Sequence, residues 1–143
     1  MKKVYRLQKK FTCPIGHRLS LHKGNCKNVH GHSFSVIITL KSNQLDNNDM
    51  VMDFSDLKRM VNKYIDQLDH GIMLNKNDPL CEKLESCSEK VTKFDADPTA
   101  ETLSEYLYYE IKNTIESKDS FIEVESITVF ENENSSITFS EEE

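Results

Sequence analysis

A chain of 143 residues fits one domain of common size, residues 1–143, and 37% apolar with 29% charged residues describes a globular protein with a lean core. The net charge of −6, with Glu141, Glu142 and Glu143 at the end, argues against nucleic acid as a main partner, because neutralising phosphates needs clustered Lys and Arg. A local basic pocket for a phosphorylated small molecule remains compatible with that total. No apolar run approaches the roughly 20 residues of a membrane span, so no membrane partner is expected. Met1-Lys2-Lys3-Val4-Tyr5 has no signal-peptide core behind it, and a cytoplasmic location is expected. There Cys13, Cys26, Cys81 and Cys87, which contain no C-x-x-C pair, are expected as thiols.

Along the chain, loose alternation from Tyr5 to Cys13 predicts a first strand. A second is clearer in Ser33–Leu40, where Phe34, Val36, Ile38 and Leu40 recur at period two and β-branched residues are frequent. After a polar turn over Asn43–Asp49, the stripe Leu57, Met60, Val61, Tyr64, Ile65 and Leu68 predicts a helix, with Asp53 or Ser55 as its cap. Residues 76–97 show weak periodicity and read as a long loop with at most one helical turn; loops of that length are often functional. Thr99 can cap a second helix with the stripe Leu103, Tyr106, Leu107, Ile111 and Ile115. Ile122–Phe130 and Ser136–Phe139 read as closing strands joined by a turn. The order ββααββ predicts an α+β fold, with a four-stranded antiparallel sheet and two helices packed on one face. An apolar sheet face left partly uncovered, and exposed sheet edges, favour a homo-oligomer.

The strongest chemical signal is His30-Gly31-His32. Two histidines at i and i+2 point the same way in an extended segment, and Gly31 leaves space on the other side. His17, in Gly16-His17-Arg18-Leu19, would lie beside them if the first two strands pair as a hairpin. Three neutral imidazoles with an open fourth position make a catalytic zinc arrangement; the competing reading is a chance pair of histidines in a turn.

Four residues before His30 stands Cys26, which can be a metal ligand, a base or a buried inert thiol. Zinc and Lys27 would each favour its thiolate. The other three cysteines have no such neighbourhood. Asp69-His70, directly after the first predicted helix, can be a carboxylate–imidazole unit or a favourable charge near the last carbonyls. Adjacent residues cannot easily bond each other within a helix, so both side chains would converge on a third group such as Cys26. His22 reads as a solvent-exposed loop histidine and the acidic end as a solvated tail. Glu131, at a strand end, is either a surface carboxylate or an acceptor for the paired donors of a guanidine-like ring edge.

Together these pieces resemble the 6-pyruvoyltetrahydropterin synthase / 6-carboxytetrahydropterin synthase family. The matching string runs through Phe11-Thr12-Cys13-Pro14-Ile15-Gly16-His17-Arg18-Leu19, Cys26-x3-His30-Gly31-His32 and Val51-Met52-Asp53-Phe54-Ser55-Asp56-Leu57-Lys58. Leu68-Asp69-His70, Leu74-Asn75, Pro98-Thr99-Ala100-Glu101 and Glu131 complete it in order. Each motif is weak alone, but the ordered set covers nearly the whole chain.

The resemblance implies zinc on His17, His30 and His32, Cys26 as the proton-abstracting thiolate, and Asp69 and His70 completing a catalytic triad. It implies Glu131 as anchor of a pterin ring and Thr99 as part of the pocket. The implied architecture is the tunnelling fold (T-fold), with trimers or hexamers and active sites between subunits. The implied reactions start from 7,8-dihydroneopterin triphosphate and give either 6-pyruvoyltetrahydropterin or, with loss of acetaldehyde, 6-carboxytetrahydropterin for queuosine synthesis. The C-x3-H-G-H spacing looks like the queuosine-pathway branch. A pterin-binding module without turnover is the non-enzyme alternative, against which Cys26, Asp69 and His70 speak. Ile15-Gly16 stands where family members usually carry two small residues, and the 76–97 stretch is longer than in compact members.

Overall fold

The alternation that marks the second strand extends well beyond its apolar part, and that extension organises the molecule. In the computed structural model, which describes residues 1–143, β1 (Tyr5–His17) and β2 (His30–Ser42) pair antiparallel over their whole length, from Tyr5↔Ser42 to His17↔His30. Phe11, Cys13 and Ile15 on β1 and Phe34, Val36, Ile38 and Leu40 on β2 are buried on one face, as the period of two requires. Pro14 lies within β1 without breaking the ladder to β2. Its carbonyl points to the strand's other edge, where it accepts the His70 N–H at 2.9 Å, so the missing proline donor falls on that edge too.

The closing strands β5 (Glu123–Asn132) and β6 (Ser135–Phe139) continue the antiparallel sheet beyond β2. A register shift opposite Thr39/Leu40 places Val124 and Ile127, three residues apart, on the same buried side. A second shift lies between Phe130 and Asn132, so Glu131 is the extra residue of a bulge.

The predicted helices form as α1 (Phe54–Leu68) and α3 (Ala100–Glu116). Asp53 caps α1 by accepting the Ser55 N–H at 2.8 Å, and Thr99 caps α3 by accepting the Thr102 N–H at 3.1 Å. Leu57, Val61 and Leu68 from α1 and Leu103, Leu107, Ile111 and Ile115 from α3 enter one core with the inward residues of β1, β2 and β5. Both helices therefore cover the same sheet face, as expected.

The sheet differs from the four-stranded expectation. It has six strands in the order β4-β3-β1-β2-β5-β6, because the stretch around 76–97 is not a plain loop. It holds the end of a β-α-β unit: β3 (Ile72–Asn75), α2 (Leu80–Ser86) and β4 (Val91–Phe94), with β3 parallel to both β1 and β4. Four-residue strands and a seven-residue helix are too short to show periodicity, and their stability comes from packing rather than from local propensity. No helix is long and apolar enough to cross a membrane.

Leu103, fully buried where α3 meets the sheet, tests this packing. Leu103→Ala is expected to lower unfolding free energy by roughly 2–5 kcal/mol, measured by urea denaturation at constant m-value.

Candidate functional site

The core stripe does not end in apolar residues. One strand position beyond Ile15 on its buried face comes His17, and on β2 the face carrying Phe34 continues through His32 to His30. Because His17 pairs with His30 and Ile15 with His32, the register sets all three imidazoles on the same side. Ring centroids lie 4.5 Å apart for His17–His30 and 5.1 Å apart for His17–His32 and His30–His32. Phe34 closes the floor, with its ring edge-on to His17 and His32. One nitrogen from each ring lies within 4.8 Å of the others, a group able to hold a metal ion.

Hydrogen bonds prepare two of these rings as ligands. His17 is 1% exposed, and its Nδ1 lies 2.8 Å from the Pro98 carbonyl. A carbonyl only accepts, so Nδ1 carries the proton and Nε2 presents a lone pair. That Nε2 is buried with no hydrogen-bond partner. A buried polar atom without a partner is costly, and a metal ion at the centre of the imidazole group would satisfy it. His30 repeats the arrangement, with Nδ1 donating to the Asn28 carbonyl at 2.8 Å. The donor set of three imidazoles fits zinc with a position left for another ligand.

Burial holds the His17 imidazole below its ordinary pKa, and cationic His30 or His32 would push it further down. The Pro98 carbonyl and Glu131 oppose that shift, which places Glu131 within electrostatic reach of His17. Glu131 is half-buried and lines a small cleft with Ala100, Glu101, Ser135, Ser136 and Ile137, over the start of α3. Thr99 lies next to Pro98, its side-chain oxygen committed to the cap of α3. One chain thus brings His17, His30, His32, Thr99 and Glu131 into the same neighbourhood.

Cys26 lies in the connection between β1 and β2, on a single 3-10 turn, Asn25–Lys27, and is half-buried. The connection folds back on itself through Leu19 N–H to the Cys26 carbonyl at 2.9 Å. The other cysteines are free thiols as expected. Burial pushes the Cys13 thiol up to about 12, with Asp69 and Asp66 adding to the shift, and burial also raises Cys81. Cys87 is exposed, as is His22, whose Nδ1 accepts the Gly24 N–H at 2.8 Å.

Asp69 and His70 depart from the expected arrangement. Their side chains bond each other, His70 Nδ1 to Asp69 Oδ1 at 2.9 Å, and no hydrogen bond joins either to Cys26 of the same chain. The pairing is open to neighbours in sequence because α1 has already ended at Leu68: Asp69 is extended and His70 takes a left-handed φ of 60°. The Asp69 and His70 side chains are 38% and 81% exposed. His70 opens on a shallow groove lined by Pro14, Gly16, Gly31 and Ser33, which alternate with the histidines along the strands, and also by Ile15 and His32. Within one chain the pair makes no hydrogen bond to the imidazole group.

Sequence reasoning missed the residues that hold this site in place. The Pro98 carbonyl that orients His17 is a backbone group, on which side-chain identity says nothing. Arg18 pairs with Asp78, whose side chain is 0% exposed, its Nε donating to Oδ2 at 2.8 Å. Asp97 accepts bonds from Ser20, Leu21 and Asn75. The adjacency of Arg18 to a candidate ligand was the one available signal.

A mixed six-stranded sheet covered by two helices, ending in a three-imidazole group able to hold a metal ion, defines an α+β protein of the T-fold class. The comparisons with known proteins make that class particular. The family model described as 6-pyruvoyl tetrahydropterin synthase matches residues 6–142. A 6-carboxy-5,6,7,8-tetrahydropterin synthase of Aquifex aeolicus is 33% identical over 109 residues, covering 73% of this chain and 67% of the relative. The Rickettsia conorii protein of the same name is 31% identical over 122 residues, covering 83% and 88%. Among solved structures, an uncharacterized protein from Wolinella succinogenes superposes with TM-score 0.84 at 22% identity, covering 97% of this chain and 99% of its own. The Caenorhabditis elegans 6-pyruvoyl tetrahydropterin synthase superposes with TM-score 0.72 at 20% identity, covering 99% of both chains. The chain belongs to the 6-pyruvoyl tetrahydropterin synthase family.

The lowered pKa of His17 has a consequence for stability. The unfolded chain takes up a proton near the ordinary value of 6.5, whereas the folded chain resists it until lower pH. The His17 contribution is present above about 6.5 and is lost as pH falls towards the folded value. Urea denaturation of the metal-free protein should show falling stability between pH 7.5 and pH 5, with a shallower fall in His17→Gln.

Proposed function

We propose that this chain is a zinc-dependent 6-carboxy-5,6,7,8-tetrahydropterin synthase. It acts in the cytoplasm on 7,8-dihydroneopterin triphosphate, releases acetaldehyde and triphosphate, and supplies deazapurine (queuosine) biosynthesis. The observation that carries this reading is the imidazole group with its orphaned His17 Nε2, in a chain whose relatives above 30% identity bear that enzyme name.

In this reading His17, His30 and His32 hold zinc, with Nδ1 of His17 and His30 fixed by carbonyls. Bound zinc supplies a Lewis acid that lowers the pKa of the substrate's side-chain hydroxyls. Cys26, as thiolate, removes a proton from the pterin side chain. Asp69 orients the His70 ring through the 2.9 Å bond, and His70 returns the proton. Glu131 accepts the paired donors of the pterin ring edge, and Thr99 lines the pocket beside it. Separate groups for taking and returning the proton let one site run both steps near neutral pH.

The exposure of Asp69 and His70, which bond each other and not Cys26 of their own chain, supports an oligomer. A second copy would bring its own Asp69–His70 pair to this chain's Cys26, completing the triad between subunits. Sheet edges support the same conclusion: β1 pairs with β3 only at Gly16 and His17, and β6 is the last strand of the sheet. Open edges are pairing templates, and closing them between copies gives the trimer or hexamer proposed here.

Incubation of purified protein with 7,8-dihydroneopterin triphosphate should give a product with the mass of 6-carboxytetrahydropterin, together with acetaldehyde. A product with the mass of 6-pyruvoyltetrahydropterin would select the second reading, which the family model's description favours. Cys26→Ala should abolish turnover while keeping zinc and pterin affinity, and loss of zinc would make Cys26 a ligand instead. Glu131→Ala should weaken pterin binding by roughly 1.5–3 kcal/mol, the worth of hydrogen bonds to a charged group, measured by calorimetry. In sedimentation the protein should run as a trimer or hexamer; a stable monomer at micromolar concentration would contradict the shared site.

A further inference from the structure

The connection between β1 and β2, residues 18–29, carries Cys26; besides the Arg18–Asp78 pair at its first residue, its root is tied to a second carboxylate outside it, Asp97. Asp97 Oδ1 accepts from Ser20 Oγ at 3.1 Å and from Asn75 Nδ2 at 3.1 Å, and Oδ2 accepts the Leu21 N–H at 2.9 Å. Asn75 is buried, and its own Oδ1 accepts the Asn77 N–H at 3.0 Å, which turns its amide nitrogen towards Asp97. The carboxylate is therefore fixed from the β3 side and presents its remaining acceptor positions to the connection. Leu19, beside Ser20, donates its N–H to the Cys26 carbonyl at 2.9 Å, so the position of the root is passed directly to the cysteine. The residue after Asp97 is Pro98, whose carbonyl holds His17 Nδ1 at 2.8 Å. Two consecutive residues thus set the orientation of the buried imidazole and the placement of the Cys26 segment.

We propose that Asp97 is a positioning residue, holding Cys26 at a fixed place relative to the imidazole group through Ser20 and Leu21. The proposal rests on Cys26 being the reactive thiol of the function proposed above. Asp97 itself touches neither the imidazoles nor Cys26. Its residue type follows from its partners. Three donors converge on it, and an ionised carboxylate accepts on both oxygens. An Asn at this position keeps one acceptor oxygen, but its NH2 must face one of the three donors, so it preserves only part of the arrangement.

The test uses the full-length zinc-loaded protein with Asp97→Ala, Asp97→Asn and, as a control on the same segment, Asp95→Ala. Asp95 pairs with Lys76 at 3.1 Å, its side chain is 93% exposed, and no hydrogen bond joins it to the connection. Four quantities are read: zinc per chain, exchange of the Leu21 amide, the rate of Cys26 alkylation by iodoacetamide resolved by peptide mass, and kcat with KM.

In Asp97→Ala, Leu21 exchange and Cys26 alkylation are each expected to rise roughly tenfold, because local opening loses charge-assisted hydrogen bonds. There kcat falls at least about tenfold while KM and zinc content stay near wild type, as misplacement of one reacting group predicts. Asp97→Asn falls between, and Asp95→Ala matches wild type. Faster Leu21 exchange with unchanged Cys26 alkylation and kcat would overturn the proposal, since the bonds would then be structural only. If Asp97→Ala loses zinc or its overall fold, Asp97→Asn decides; wild-type Cys26 alkylation and kcat in that variant would equally overturn it. Absence of turnover in the wild-type protein would refute the pterin reading alone, while Leu21 exchange and Cys26 alkylation would still decide whether Asp97 positions the thiol.

Discussion

The register of one hairpin governs everything else at the candidate site. Antiparallel pairing of His17 with His30 and of Ile15 with His32 puts three imidazoles on one face, and a slip of one residue would send one strand's histidines to the opposite side. The apolar alternation of β1 and β2 enforces that register over thirteen residues of each strand, with Phe34, Val36, Ile38 and Leu40 locked under α1 and α3. The imidazole group is thus an extension of the hydrophobic core along the same strands. Its geometry takes its rigidity from packing far larger than the site itself, which is what a preorganised ligand set requires.

The second support comes from the short β3-α2-β4 unit and the segment that returns from it to α3. This unit adds two parallel strands next to His17, and its exit delivers the Pro98 carbonyl to the ring of that histidine. It also contains Asp78, buried against Arg18, and leads to Asp97. The region that carries the least periodic sequence in the chain is therefore the one that orients the most buried imidazole and anchors the connection bearing Cys26. Thr99 begins α3 immediately afterwards, so a helix cap, the hydrogen bond that orients His17 and an anchor for the connection fall within three consecutive residues.

Much of this was legible in the sequence where a pattern is long. The stripes of α1 and α3 and the four antiparallel strands follow from periods that local physics imposes; the cap of α3 was legible as Thr99, while that of α1 was narrowed to Asp53 or Ser55, of which Asp53 caps. The three histidines were legible because strand alternation converts a spacing of two into a shared face. Strand ends were less so: β1 continues from Cys13 to His17 and β2 begins at His30 rather than Ser33, since histidines and glycines do not signal burial by composition. β3, α2 and β4 were illegible because their lengths fall below any period. The Asp69–His70 bond was discounted on helical geometry and forms because the pair lies beyond the helix end at Leu68, with His70 in a left-handed conformation. Backbone acceptors such as the Pro98 carbonyl leave no trace in side-chain identity at all.

The central claim is that the register-built imidazole group is the metal centre, with Cys26 left free as a base. X-ray absorption at the zinc edge of the purified protein addresses it directly. The account predicts three imidazole nitrogens at about 2.0–2.1 Å with light-atom ligation completing the site. A sulfur ligand at about 2.3 Å would contradict it by making Cys26 a ligand, and so would an absorption spectrum without imidazole scattering.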